Sequence, residues 1–317
     1  MVNMQMNRLT VDVIIPTLKP DKRLHKILQR LQKQTYPIEK IIIINTEKQY
    51  INEEDYSYID NIEFHHIKRE DFDHGGTRNM GVKLTDSDLV LMMTQDAVPA
   101  TKYMIEELVK PFAEDEDVVV TYGRQLPNAD CGMAEAYTRK FNYPDYDIIK
   151  TSNDILRMGI KAFFNSDVCA MYSRKGYDEV GGFPNRTIMN EDSIFAANAI
   201  QMGKKIYYAA KAEVIHSHNY TYMQQFHRNF DLGVSHKQYK EIYASVKSEA
   251  EGIRLVEKTA EYLIKHNRFY LVPDTVIKSG FKYLGYRLGK MYDYLPKKVI
   301  LACTMNQTYW QDYKVKK

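Results

Sequence analysis

Five short segments of this chain hold residues whose types and spacing can do chemistry. The first is Asp96, which follows the apolar run Leu89-Val90-Leu91-Met92-Met93 and the pair Thr94-Gln95. A carboxylate at a strand end can hold a divalent cation, but a cation needs more donors than one; alone, Asp96 reads equally well as a turn former. The second is His216 and His218, two apart after Val214-Ile215. On an extended backbone both imidazoles face one side, so either can supply the nitrogen ligand that Asp96 lacks. A shared ion predicts ligand atoms roughly 3–5 Å apart, since metal–ligand distances are near 2 Å.

The third segment is "MNEDSIF", 189–195. Glu191 and Asp192 offer a general base, or two acids that merely stabilise the first turn of a helix capped by Asn190, worth about 0.3–1 kcal/mol. The fourth is "DFDHGGTRNMG", 71–81, where Gly75 and Gly76 precede an expected helix with Thr77, Arg78 and Asn79 in its first turn. Free N–H groups and a cation at a helix start suit a phosphate; the alternative is a glycine turn with a threonine cap. The fifth is Gln225 and Arg228, three apart on one helix face. The planar fork of Arg228 suits a diphosphate.

Elements that alternate in type must position these groups. Residues 11–15, the β-branched run 41–44, and segments 62–67, 88–93, 118–122 and 168–172 predict strands. Leu24, Ile27, Leu28 and Leu31 lie at helical spacing, and helices are expected over 77–84, 101–113 and 191–202. This alternation predicts an α/β fold with a mostly parallel sheet, whose ligands sit at the carboxyl ends of the strands. Pro16-Thr17, Asn45-Thr46 and Gln95-Asp96 then share one rim. Beyond 220 the sequence reads as mostly helical. The expected division is a catalytic domain over 1–240 and a helical region over 241–317.

The 317 residues, 44% hydrophobic and 27% charged, have the composition of a soluble globular protein with a real core. No apolar run approaches the roughly 20 residues of a bilayer span, and the first residues lack a secretory h-region. Three cysteines without metal-like spacing suit free thiols in the cytoplasm. The net charge of +3 hides an asymmetry: 241–317 holds 14 Lys/Arg against 8 Asp/Glu, leaving −3 on the first 240 residues. A basic region with nine tyrosines and the sole tryptophan, Trp310, suits an anionic surface, or is an ordinary solvated helical face. It carries no recognised nucleic-acid motif, so nucleic acid is not an expected partner.

The order of the motifs is more telling than any one of them: Pro-Thr, Gly-Thr-Arg-Asn, Asp, Gly-Gly-Phe, Glu-Asp, His-x-His, Gln-x-x-Arg. Over roughly 10–240 this resembles the family 2 inverting glycosyltransferases, which have the GT-A (Rossmann-like) fold. "FDHGGTRN" at 72–79, "TQDA" at 94–97 and "HSHNYT" at 216–221 look more narrowly like bacterial rhamnosyltransferases that build cell-wall and surface polysaccharides. Many relatives end the Asp96 strand in Asp-x-Asp; here one acid remains.

The resemblance implies roles. Pro16, Thr17 and Asn45 would line the base, and Gly76, Thr77, Arg78, Asn79 and Gln95 would bind the donor nucleotide. Asp96 would hold Mg²⁺ or Mn²⁺, with His216 or His218 as candidate co-ligands. Asp192, beside Glu191, would be the catalytic base, and Gln225 and Arg228 would bind acceptor or diphosphate. Asn229 stands in place of the family's Trp, which points away from processive synthesis. Asn45-Thr46-Glu47 lacks the aspartate that many members place on uracil, which is compatible with thymine. The implied reaction moves L-rhamnose from dTDP-L-rhamnose to a lipid-linked saccharide acceptor; a UDP-sugar donor or a non-catalytic binding role are the alternatives.

In the C-terminal region, Ile277, Phe281, Leu284, Leu288, Met291 and Leu295 step along one expected helix face. Such a stripe can rest on the inner face of the cytoplasmic membrane, or pack on the catalytic domain or on a second subunit as a homodimer.

Overall fold

The computed structural model describes residues 8–244 and 249–311. Residues 1–7, read above for a leader, and the basic end 312–317 lie outside them. The strands are β1 (Val11–Leu18), β2 (Lys40–Thr46), β3 (Ile62–Ile67), β4 (Leu89–Met93), β5 (Val98–Pro99), β6 (Val118–Leu126), β7 (Ile148–Lys150), β8 (Cys169–Ser173) and β9 (Lys205–Ile215). The helices are α1 (Lys22–Leu31), α2 (His74–Val82), α3 (Met104–Glu114), α4 (Met133–Asn142), α5 (Ile155–Met158), α6 (Arg174–Val180), α7 (Glu191–Gln201), α8 (Tyr222–Gln238), α9 (Lys240–Tyr243), α10 (Glu249–Lys265), α11 (Val272–Gly289) and α12 (Lys297–Cys303).

The described strands form one sheet in the order β3-β2-β1-β4-β8-β6-β9-β5, with β7 also paired to β9. β1, β2, β3, β4, β6 and β9 run one way, and β8, β5 and β7 run against them. The sheet is thus mixed and mostly parallel. Its side chains alternate between two cores. Ile14, Ile42, Ile44, Val90 and Met92 face the layer holding α2, α6 and α7. Val13, Ile15, Ile41, Ile43, Leu89, Leu91 and Met93 face α1 and α3. A period of two explains why both faces of the central strands are apolar.

Two departures from the sequence expectation matter for the site. β1 continues to Leu18, because it pairs with β2 as far as Thr46. α2 starts at His74 rather than 77, because Asp73 caps it and accepts from the Gly76 N–H at 2.6 Å.

The C-terminal helices share a small core with α8: Ile188, Phe230 and Val234 meet Ile300, Cys303 and Trp310. α8 and α11 cross with backbones in contact. A Cβ on Gly289 would lie 2.0 Å from the Phe230 carbonyl oxygen, and one on Gly285 would lie 2.2 Å from that of Phe226. This close crossing breaks up the expected apolar stripe. Leu288 packs into the small core, and Phe281 stacks on Tyr222 at 5.4 Å. Ile277, Leu284 and Met291 stay about half exposed, and the helix ends before Met291 and Leu295. Among the described residues, no helix is long and apolar enough to cross a membrane.

Candidate active site

At the carboxyl rim, Asp96, His216 and His218 converge. His216 Nε2 lies 3.6 Å from Asp96 Oδ1, and His218 Nε2 lies 3.4 Å from Asp96 Oδ2. One ligand atom from each of the three fits within 4.8 Å of the others. β5 and β9 bring this about: β9 ends at Ile215 opposite Val98, just beyond Asp96. The imidazoles suit metal binding chemically. His216 Nδ1 lies 2.9 Å from Gln125 Oε1, an acceptor, so Nδ1 carries the hydrogen and Nε2 keeps its lone pair toward Asp96. Burial drives the His216 pKa down to about 3, against the pull of Asp96, so the ring stays neutral. Arg23 also reaches Asp96, at 3.7 Å.

The second group is a buried ion network. Arg78 Nε lies 2.9 Å from Asp167 Oδ2, and Arg78 Nη1 lies 2.9 Å from Glu191 Oε1. All three are nearly inaccessible. Burial is the largest influence on Glu191 and works against its ionisation, but Arg78, joined by His74, a backbone N–H and Arg228, outweighs it and holds the pKa below the ordinary value. Asp192, the next residue, is partly accessible. Its Oδ1 accepts from the Ser193 N–H at 2.7 Å and its Oδ2 from the Asp167 N–H at 3.3 Å. Burial, then the charge of Glu191, raises its pKa to about 6. The two adjacent acids are therefore divided: Glu191 is held by Arg78, and Asp192 is the more exposed and the more basic of the two. Asn190 precedes them with φ +68°, in the left-handed region that Asn tolerates, and donates to Ser235 at 3.3 Å instead of capping the helix.

Several expected nucleotide contacts are committed elsewhere. The Gly76 N–H is taken by Asp73, and Thr77 is buried with its hydroxyl accepting from the Asp73 N–H at 3.2 Å. Because α2 starts earlier than expected, Arg78 lies in its second turn and points inward, onto Asp167 and Glu191. Asn79 clamps the Gly181-Gly182-Phe183 turn, donating to the Phe183 carbonyl at 2.9 Å and accepting from its N–H at 3.0 Å. Gln95 bonds both the N–H and the carbonyl of Leu18, at 2.8 and 3.0 Å, and so fixes the exit of β1. Thr17 donates to Asn45 at 3.1 Å, and both are buried at the ends of β1 and β2, with Pro16 partly exposed beside them.

Gln225 and Arg228 line a cavity of about 220 Å³ with Asn190, Tyr220, Arg139 and Lys282. Tyr220 joins it to the Asp96 cluster: its ring stacks on His218 at 5.0 Å, and the Arg228 guanidinium lies 5.9 Å from its centre. Sequence reasoning missed Asp167, Gln125, Arg139 and Lys282. Asp167 precedes β8, which runs antiparallel, so Cys169 lies beside Met93 and the start of β8 reaches the rim. A rule about carboxyl ends of parallel strands passes over it.

Residues 12–181 match the pattern of glycosyl transferase family 2. The chain belongs to that family. It is 36% identical over 304 residues to the O-antigen chain rhamnosyltransferase RfbN of Salmonella typhimurium, an alignment covering 95% of this chain and 96% of that protein. It is 37% identical, also over 304 residues, to the O-antigen chain rhamnosyltransferase WbaN of Salmonella anatum, covering 95% of each. Among solved structures the fold is similar to a mannosyltransferase of Pyrobaculum calidifontis in complex with GDP-Man and Mn²⁺. There the TM-score is 0.54 and the identity 15%, over 96% of this chain and 85% of that one. It is also similar to residues 1–349 of Staphylococcus aureus TarS, with TM-score 0.52 and 15% identity over 89% and 90% of the two chains. This family 2 glycosyltransferase thus has the GT-A-like architecture that its motif order implies.

Proposed function

We propose that this glycosyltransferase moves L-rhamnose from dTDP-β-L-rhamnose to a hydroxyl of a saccharide acceptor carried on a lipid, with inversion, during assembly of a surface polysaccharide. The rhamnose reading rests on relatives of that name along nearly the whole chain. The observation that carries the chemistry is Asp192: a partly accessible carboxylate with its pKa raised to about 6, beside a carboxylate that Arg78 neutralises. Asp192 removes the acceptor hydroxyl proton as the oxygen attacks the anomeric carbon. The bond from that carbon to the diphosphate breaks, and its electron pair leaves with the nucleotide. Inversion of a β-donor gives an α-L-rhamnoside. Asp96, His216 and His218 are the residues that would hold a divalent ion, which when bound supplies charge neutralisation at the diphosphate. Arg228, near the same Tyr220 ring that stacks on His218, supports the leaving charge.

A donor screen tests this. The full chain with Mn²⁺, a rhamnose-bearing acceptor and either dTDP-rhamnose or UDP-sugars should release nucleotide only with dTDP-rhamnose. Preference for a UDP-sugar would replace the donor assignment and leave Asp192 as base.

The exposed face of α11, with Val276, Ile277, Tyr283 and Leu284 each about half exposed, is the surface we assign to the cytoplasmic membrane. Co-sedimentation with anionic vesicles should be lost when Ile277 and Leu284 become glutamate; unchanged sedimentation would sink the assignment.

A further inference from the structure

The cavity that Asn190 and Arg228 line also takes a residue from the C-terminal helices, Lys282. Lys282 lies on α11, about a hundred residues beyond the family match at 12–181. The glycine crossing of α11 on α8 carries it there: Gly285, one turn along, touches the Phe226 backbone, two residues before Arg228.

The charges in the cavity do not balance. Arg139 is neutralised by Glu135 at 2.7 Å and also donates to Gln125 at 2.6 Å. Among the described residues neither Arg228 nor Lys282 has a carboxylate within ion-pair distance, and Glu135, which attracts Lys282, is already held by Arg139. Lys282 is partly buried, and that burial lowers its pKa; Glu135 pulls it up, while Arg139, Lys278 and Arg228 push it down. Two unpaired cations held together at the edge of a cavity cost free energy unless an anion joins them. The cavity is lined by the neighbour of Glu191-Asp192, Asn190, and is small for a drug-sized ligand but ample for a compact anion.

We propose that Lys282 and Arg228 together bind a diphosphate group, so that the C-terminal helical region completes the active site. This deepens the transferase reading and rests on it only for the source of the group. The diphosphate belongs either to the nucleotide or to the lipid linkage of the acceptor. Arg228 grips it as a planar fork, and Lys282 adds a point charge from α11.

Calorimetric titration of the full chain with inorganic pyrophosphate, in the absence of divalent metal, tests the site. Lys282→Ala and Lys282→Met, which keeps part of the aliphatic stem, should each weaken binding about ten-fold or more, and Lys282→Arg should restore most of it. Equal affinity in wild type and both neutral variants, or no pyrophosphate binding by the wild type, overturns the proposal. A second arm identifies the source. If Lys282→Met raises KM for a diphosphate-linked acceptor and leaves dTDP affinity with Mn²⁺ unchanged, the acceptor supplies the group. If dTDP affinity falls as much as pyrophosphate affinity, the nucleotide supplies it. The titration needs no sugar transfer. A chain that fails to move rhamnose but loses pyrophosphate with Lys282→Met overturns the donor assignment and leaves the anion site standing.

Discussion

Arg78 Nη1 lies 2.9 Å from Glu191 Oε1, and through this contact the Gly-Gly-Thr-Arg-Asn helix holds the helix that carries Asp192. The same guanidinium holds Asp167 at 2.9 Å, whose N–H supports Asp192. One buried cation therefore organises three carboxylates.

Arg78→Met leaves Glu191 and Asp167 buried without their counter-charge. Stability should fall by about 3–5 kcal/mol, the usual cost of breaking a buried pair from one side. A urea unfolding midpoint checks this. The double variant Arg78→Met/Glu191→Gln should lose less than the sum of the two single losses, because it removes one of the stranded charges. An unchanged midpoint in Arg78→Met would mean that the network does not bear on stability.

Asp192 sets an acid limb. A base must be ionised, and its pKa is raised to about 6, so kcat/KM should rise with pH up to about 6 and level off above it. Below that pH the protonated carboxyl cannot accept the hydroxyl proton, and the rate falls about ten-fold per unit. Asp167 packs against it with its own pKa raised by burial, so the limb belongs to the pair. Asp192→Asn should cost about a hundred-fold or more in kcat while dTDP binding changes little. A pH profile flat from 5 to 8 would remove Asp192 as the base.

Asp96, His216 and His218 should act as one metal site. Dialysis against a chelator should abolish transfer, and Mn²⁺ or Mg²⁺ should restore it. His218→Ala and Asp96→Asn should each weaken Mn²⁺ binding, followed by the ion's paramagnetic resonance. Gln125→Ala, which frees His216 Nδ1, should weaken it by about 10–100-fold without touching a ligand. Full activity after exhaustive chelation would show that the trio serves another purpose.

The glycines of α11 should divide by contact. Gly289→Ala puts a Cβ 2.0 Å from the Phe230 carbonyl and should cost about 1–3 kcal/mol through overpacking. Gly280→Ala, in the same helix with nothing within 4 Å, should stabilise by about 0.5–1 kcal/mol. Thermal unfolding of the two variants gives the comparison; equal shifts would mean that α11 is not packed backbone to backbone on α8.

The sequence alone determined six of the nine described strands (β1, β2, β3, β4, β6 and β8), the sheet class and the order of chemical groups along the rim. These follow from local rules: β-branched runs such as Ile41–Ile44, and helical spacing such as Leu24, Ile27, Leu28 and Leu31, act over a few residues. The nearness of Asp96 to His216 and His218 was also legible, because a metal reading of a lone acid needs further oxygen or nitrogen donors and two histidines follow a strand end. What only the tertiary structure decided is which polar groups are already spent. Arg78, Asn79 and Gln95 have the right types for a nucleotide, yet each is satisfied by a partner at least 70 positions away. Asp167 enters because β8 inserts antiparallel beside β4, and Lys282 enters because three glycines let α11 touch α8. A side chain's availability depends on burial and on long-range hydrogen bonds, and neither is encoded in a short window of residues.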